Sequence, residues 1–264
     1  MHYVRFATGA GPAWGQRDPA TDEVRRLSAA PWDAPEVGAG VGPSAALRLL
    51  APCTPRRVVA LAYNYTDLVV DPSARADGAA DGGSGGFEEP LIFLKQPGSV
   101  IGPGEPIRLP AERGDVWVEV ELAFVIGKTA RDVAAEDAAA HIAGYTIGND
   151  VTTENVHGRD WHLARSKALD TFCPTGPYLV PDFDGADVAL GTEVSGKETQ
   201  RSTTGRRIAG DAAALALVSR SMTLEPGDLV LTGTPAGARQ SLVEPGDTVR
   251  CWIHGLGELS NSVV

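Results

Sequence analysis

Val116-Trp-Val-Glu-Val-Glu-Leu-Ala-Phe-Val-Ile-Gly127 is the stretch whose reading decides the fold. Apolar residues fill nearly every other place in it, and Val, Trp, Phe and Ile are strand formers, so the segment reads as an extended, largely buried strand. Side chains two apart on a strand share a face. Glu119 and Glu121 therefore point the same way, and two buried neighbouring carboxylates repel each other and lose hydration unless something compensates. A divalent cation is the usual compensation. The alternative is a strand with one wet face that carries both glutamates.

Outward from this strand, short apolar runs alternate with turns. Arg57-Val-Val-Ala-Leu-Ala-Tyr63 reads as a buried strand that presents the polar cluster Asn64-Tyr65-Thr66-Asp67, and Pro90-Leu-Ile-Phe-Leu-Lys95 as another, ending on a lysine. Gly144-Tyr-Thr-Ile-Gly-Asn-Asp150 is a strand delivering Asn149 and Asp150. Leu229-Val-Leu-Thr-Gly-Thr-Pro235 and Thr248-Val-Arg-Cys-Trp-Ile-His254 are two more, each entered through a Pro-Gly-Asp turn. Helical spacing is visible over residues 129–142 and from Asp211 to about Ser221. Many short strands with few helices predict a mostly-β (α+β) architecture rather than alternating strands and long helices. Residues 1–55 form a small region of short strands and turns, with Trp14 and Trp32 as packing anchors, expected to pack on a main domain spanning 56–264. Residues 71–89 hold almost nothing that can be buried and read as a flexible loop or lid.

Composition bounds the function. The chain has 264 residues, enough for a substantial core, and 43% of them are hydrophobic, but no apolar run approaches the ~20 residues that span a bilayer. The amino terminus lacks a charged-then-apolar signal layout, so a cytoplasmic location and no membrane partner are expected. Three widely spaced cysteines fit neither a disulfide framework nor a zinc pattern. A net charge of −11 argues against a nucleic-acid partner. His157 and His162 fit no common zinc spacing.

The ordered series Asn64-Tyr65, Pro90 to Lys95, Glu119-x-Glu121-Leu122, Gly144-Tyr-Thr, Asn149-Asp150-Val-Thr, Lys167-x-x-Asp170, Pro174-x-Gly-Pro177, Gln200, Leu224-x-Pro-Gly-Asp-Leu-Val-Leu-Thr-Gly-Thr-Pro235, Gly246-Asp247 and Gly255-x-Gly-x-Leu-x-Asn261 resembles the fumarylacetoacetate hydrolase family, from about Val58 to the carboxyl terminus. The resemblance implies a mixed β-roll of several sheets with a few short helices, usually a homodimer, holding Mg²⁺ or Mn²⁺ (Ca²⁺ in some members). Glu119, Glu121 and Asp150 match the family's metal carboxylates, and Asp67 looks like a further ligand. Lys167 matches its active-site lysine. Lys95, Thr234 and Tyr65 are the expected substrate-binding residues. Hard oxygen ligands suit these cations, which a 2-oxo acid can chelate and which can stabilise an enolate.

The implied activity is action on a small-molecule 2-oxo acid or its enol, foremost as an acylpyruvate-type C–C hydrolase. A decarboxylase, isomerase or lyase/dehydratase on the same metal site, or a degenerate small-acid-binding member, are the alternatives. Many hydrolytic and decarboxylating members carry a water-activating His after the acidic residue at 67 and a Glu three further on. Here those places hold Leu68 and Asp71, so Asp71 and His157 are the candidate replacements for the base. A second departure is Glu154, where relatives commonly have a basic residue. If it faced the pocket it would disfavour a dianionic substrate.

Overall fold

The computed structural model describes residues 1–68, 89–154 and 160–264. Its spine is a 12-stranded sheet, and its centre is where the apolar runs lie. Val120–Ile126 pairs antiparallel with Ile142–Asn149 on one side and with Leu229–Leu231 on the other. Leu229–Leu231 then runs parallel to Val58–Ala62, and Leu91–Lys95 closes that edge.

Both faces of this sheet are covered, which is why its strands read as nearly continuous apolar sequence. Phe124, Ile126, Val59, Leu61 and Val230 point to the face packed by the helix Asp211–Ser221 through Ala214, Leu215 and Val218. Their alternates Ala123, Val125, Val58, Ala60, Leu229 and Leu231 fill the opposite face. Glu119 and Glu121 share the parity of Ala123 and Val125.

A separate four-stranded sheet, in the order Lys197–Thr203, Ala189–Val194, Thr248–Ile253 and Gly257–Ser262, contributes Leu190, Val249, Cys251, Ile253 and Leu259 to a third core with Val118, Val120 and Leu122. The mostly-β expectation of several sheets with few helices holds. The amino-terminal strands His2–Thr8, Gly11–Arg17, Glu23–Leu27 and Val37–Pro43 form an antiparallel meander that joins the large sheet edge to edge, His2–Thr8 pairing with Cys173–Val180. Trp14 and Trp32 meet edge to face there, with ring centroids 5.3 Å apart.

Two sequence expectations are corrected. The run from Val116 is two strands, not one: Val116–Trp117 pairs with Thr152–Thr153 in a two-stranded ribbon, and Val120–Ile126 belongs to the large sheet. Between them Val118 N–H turns to the Ser241 carbonyl (3.1 Å) and Glu119 N–H to Asn149 Oδ1 (3.1 Å), so the backbone leaves the ladder without losing its partners. The helical pattern over 129–142 is a short 3₁₀ segment, Ala135–His141, with only Ala138 buried, so the alanine-rich stretch has little apolar area to hold a longer helix. The loop anticipated over 71–89 lies, except for Glu89, outside the described residues. Among the described residues no helix is long and apolar enough to cross a membrane.

Candidate functional site

Glu119, Glu121 and Asp150 converge. Each offers an oxygen within 4.8 Å of the others, and all three residues are buried. The break in the strand brings this about. Asp150 N–H donates to the Glu119 carbonyl at 2.9 Å, clamping the end of one strand against the start of its neighbour, and the Val120↔Asn149 register then places Asp150 beside both glutamates. Glu121 accepts its single hydrogen bond among the described residues from Gly233 N–H at 2.6 Å. Gly233 has φ 93°, and a Cβ there would sit 2.9 Å from the Asn64 Cβ, so only glycine lets the Thr-Gly-Thr turn approach this closely.

Two lysines hold the cluster from behind and from the side. Lys95 Nζ contacts Asp150 Oδ1 at 2.5 Å and the Val151 carbonyl at 3.2 Å. Lys167 Nζ bridges Asp150 Oδ2 (2.5 Å), Glu119 Oε2 (3.1 Å) and Thr152 Oγ1 (2.7 Å). Lys167 arrives on the single helical turn Ala164–Lys167, whose start is fixed by the Asp160 carboxylate accepting from Arg165 N–H, Ser166 N–H and Ser166 Oγ. Three carboxylates against two ammonium groups leave one negative charge in a buried place.

That imbalance shows in the acidities. Burial, then the neighbouring Asp150 and Glu119, push the Glu121 carboxyl well above the usual carboxylate range. Burial also raises Glu119, against the pull of Lys167. Burial works against the charge on Asp150 too, but Lys167 and Lys95 outweigh it and hold this carboxyl low. Burial opposes the charge on Lys167, and Asp150 and Glu119 overcome it, raising the ammonium above ordinary lysine. A cluster of hard oxygen donors short of positive charge fits a divalent cation.

The cluster opens on a cavity of about 570 Å³. Its wall combines Glu119, Glu121, Asp150, Lys167 and Thr234 with an apolar side that includes Leu61, Leu68, Phe93 and Leu163. Thr234 Oγ1 donates to the Val120 carbonyl (3.0 Å) and accepts from Gln200 Nε2 (3.0 Å), so its hydroxyl is held at the wall.

Three expected site residues sit elsewhere. Lys95 is fully enclosed behind Asp150 and does not line the cavity, its ammonium set against a carboxylate of the cluster. Tyr65 is wholly buried and lies outside the cavity wall, its hydroxyl without a hydrogen-bond partner among the described residues. Asp67 is not part of the carboxylate cluster: Ser202 Oγ donates to its Oδ2 at 2.6 Å and Arg206 stands 3.8 Å away, because the turn after Tyr65 pairs with the Arg206–Arg207 backbone. Asp71 and His157 lie outside the described residues. Glu154 is exposed and packs against Gly114, away from the cavity, so the charge penalty anticipated for a dianionic substrate does not arise there.

Sequence reasoning missed Trp117 and Arg239, both on the wall. Trp117 Nε1–H donates to Glu119 Oε1 at 2.6 Å, and the Arg239 guanidinium lies 3.8 Å from the Trp117 ring centroid. The Trp117 to Glu119 spacing was visible in the sequence, but nothing local announced the stacking partner.

The chain matches the fumarylacetoacetate (FAA) hydrolase C-terminal family over residues 57–264 and the Rv2993c-like N-terminal family over residues 1–52. Protein Rv2993c of Mycobacterium tuberculosis is 40% identical over 272 residues, covering 100% of this chain and 98% of that protein. The mitochondrial oxaloacetate tautomerase fahd2 of Xenopus laevis is 38% identical over 231 residues, covering 83% of this chain and 69% of that one. The crystal structure of a 5-carboxymethyl-2-hydroxymuconate delta-isomerase from Mycobacterium smegmatis superposes with a TM-score of 0.86 at 39% identity, covering 100% of this chain and 99% of that one. Enzymes of this kind include isomerases and tautomerases and are generally dependent on a divalent metal. With its family match spanning the whole carboxylate cluster and its flanking strands, the chain belongs to the fumarylacetoacetate hydrolase family.

Proposed function

We propose that this protein is a divalent-cation-dependent tautomerase or isomerase that moves a proton between carbon and oxygen of a 2-oxo acid and its enol. The observation that carries this reading is Leu68 in the cavity wall. Cleaving a C–C bond with water needs a base to activate that water, and a leucine side chain cannot move a proton. Proton relocation within the substrate needs only one group that gives and takes a proton at carbon. The relatives named for tautomerase and isomerase activity support the same class.

Glu119, Glu121 and Asp150 would hold the cation. When bound there, it supplies Lewis-acid stabilisation of the negative charge that an enolate places on oxygen. The side chains do the rest. Thr234 donates to the substrate's carboxylate by turning its single hydroxyl proton away from the Val120 carbonyl, with Gln200 still holding the oxygen in place. The enol hydroxyl gives up its proton to solvent as the enolate forms, the Lys167 ammonium at the wall then protonates the carbon next to the carbonyl to give the ketone, and its raised pKa means that the resulting amine readily recovers a proton from solvent. Leu61, Phe93 and Leu163 limit the water that would compete for the carbanion.

The test is a paired assay on the Mg²⁺- or Mn²⁺-supplemented protein. Disappearance of the enol absorbance of oxaloacetate and of a 2-hydroxydienoate is followed beside release of pyruvate from acetylpyruvate. Ketonisation well above the buffer rate, lost in Lys167→Met, with no acetylpyruvate cleavage is the expected result. Acetylpyruvate cleavage faster than ketonisation would overturn the proposal in favour of the hydrolase.

A further inference from the structure

Among the cationic side chains of the cavity, Arg239 is engaged differently from Lys167. Lys167 is committed to Asp150 and Glu119, whereas Arg239 has no carboxylate partner among the described residues. Its place is built rather than incidental. Gly237, at φ 98°, turns the chain so closely over the neighbouring strand that a Cβ would lie 2.5 Å from the Thr199 carbonyl. The turn Ala238–Gln240 that follows is closed by Gln240 N–H and Ser241 N–H donating to the Gly237 and Ala238 carbonyls at 2.9 Å each. Ser241 Oγ ties it to Thr199 Oγ1 at 2.8 Å. The next residue, Leu242, bridges to Trp117, while Val118 N–H donates to the Ser241 carbonyl (3.1 Å) and Val243 N–H to the Val116 carbonyl (2.9 Å) across the same junction.

The guanidinium thus lies over an indole that is itself pinned to the carboxylate cluster through Glu119. A stacked guanidinium loses little more freedom when it forms a bidentate pair, and its in-plane N–H groups remain directed outward from the ring. A single indole links the two: the Arg239 Cζ lies 3.8 Å from the Trp117 ring centroid and the indole Nε1 lies 2.6 Å from Glu119 Oε1, which places the guanidinium within reach of a short ligand held at the cluster. The other side of the cavity is apolar, so a second carboxylate on a ligand anchored at the triad would find its counter-charge at Arg239.

We propose that Arg239, stacked on Trp117, is a specificity residue that selects short 2-oxo dicarboxylates by binding the carboxylate remote from the oxo-acid end. This rests on the reading above that the oxo-acid end is held at Glu119, Glu121 and Asp150. Monocarboxylic oxo acids reach the same centre but leave the guanidinium unpaired.

The proposal is tested by calorimetric titration of the Mn²⁺-loaded full-length protein with 2-oxoglutarate and with its 5-methyl ester, which differ only in the remote charge. The wild type is expected to bind the diacid about tenfold more tightly. Arg239→Gln is expected to erase that ratio while leaving affinity for the ester and the melting temperature unchanged, and Arg239→Lys, which keeps the charge without the flat fork, to restore part of it. Equal binding of both ligands by the wild type, binding of neither, or an unchanged ratio in Arg239→Gln would each overturn the assignment. Because the titration needs no turnover, discrimination that survives in a protein without tautomerase activity would count against the proposed reaction alone.

Discussion

Asp228 and Glu121 are both hidden from solvent, at 0% and 1% exposure, the first just before Leu229–Leu231 and the second in the neighbouring strand Val120–Ile126, yet they are held in opposite ways. Asp228 accepts from Arg56 N–H (2.8 Å), Arg57 N–H (2.7 Å) and Glu225 N–H (2.8 Å), with the Arg57 guanidinium 3.7 Å away. Its charge is answered by the backbone of the turn it closes. Glu121 has one backbone N–H and faces two further carboxylates. A buried acid that is fully satisfied is a structural device, and one that is left short of donors among like charges waits for a ligand.

The largest expected effect comes from breaking the unsatisfied member. Glu121→Gln is expected to lower activity by on the order of a thousandfold and to abolish stabilisation by Mg²⁺ or Mn²⁺, because the cation loses a ligand charge. In chelator the same variant is expected to unfold at or above the wild-type temperature, since it removes an unbalanced buried charge. Thermal melts with and without cation, beside the ketonisation rate, check this. A melting temperature well below wild type in chelator would show that Glu121 serves the fold as Asp228 does.

The converse substitution is Asp228→Ala. It strands three buried N–H donors and an arginine, and is expected to cost about 3 kcal/mol of stability by denaturant titration. Cation affinity of the folded fraction should stay within about twofold of wild type, since Asp228 contributes no ligand. Loss of cation binding at unchanged stability would erase the distinction.

How much of this was legible in the sequence follows from the range of the interactions. The parity of Glu119 and Glu121 is a local property of an extended chain, and Asp150 ends a recognisable strand, so the cluster could be assembled from patterns a few residues long. The covered faces of the central strands likewise left their mark as uninterrupted apolar runs. Lys95 was placed at the strand end correctly, but whether a buried ammonium meets a ligand or a carboxylate depends on what packs above it, and Asp150 is 55 residues away. The places of Tyr65 and Asp67 were not legible because their neighbours, Arg206, Arg207 and Ser202, come from a distant segment that no local signal links to them. Arg239 was invisible for the same reason: its partner Trp117 lies on a strand brought beside it only by the fold.

Asp22 sharpens the comparison from the solvent side. This carboxylate of the amino-terminal meander is 30% exposed and accepts from Arg17 Nε (2.6 Å), Ser44 Oγ (2.5 Å) and Ala45 N–H (3.1 Å), so it is satisfied without being buried. The Ser44 hydroxyl, then the Arg17 guanidinium and the Ala45 amide, draw its pKa from 3.8 down to about 2. A folded-state pKa below the unfolded one means that the stabilisation is whole above pH 3.8 and disappears as the pH falls through about 2. Solvent screening keeps it small, so Asp22→Asn is expected to cost about 1 kcal/mol at neutral pH. The gap to wild type should close progressively in denaturant titrations taken below pH 3.8. A gap that persisted undiminished in acid would mean that geometry around Ser44, not the charge, is what Asp22 supplies, and hydrogen-bond satisfaction alone would then separate the structural acids from the unsatisfied cluster.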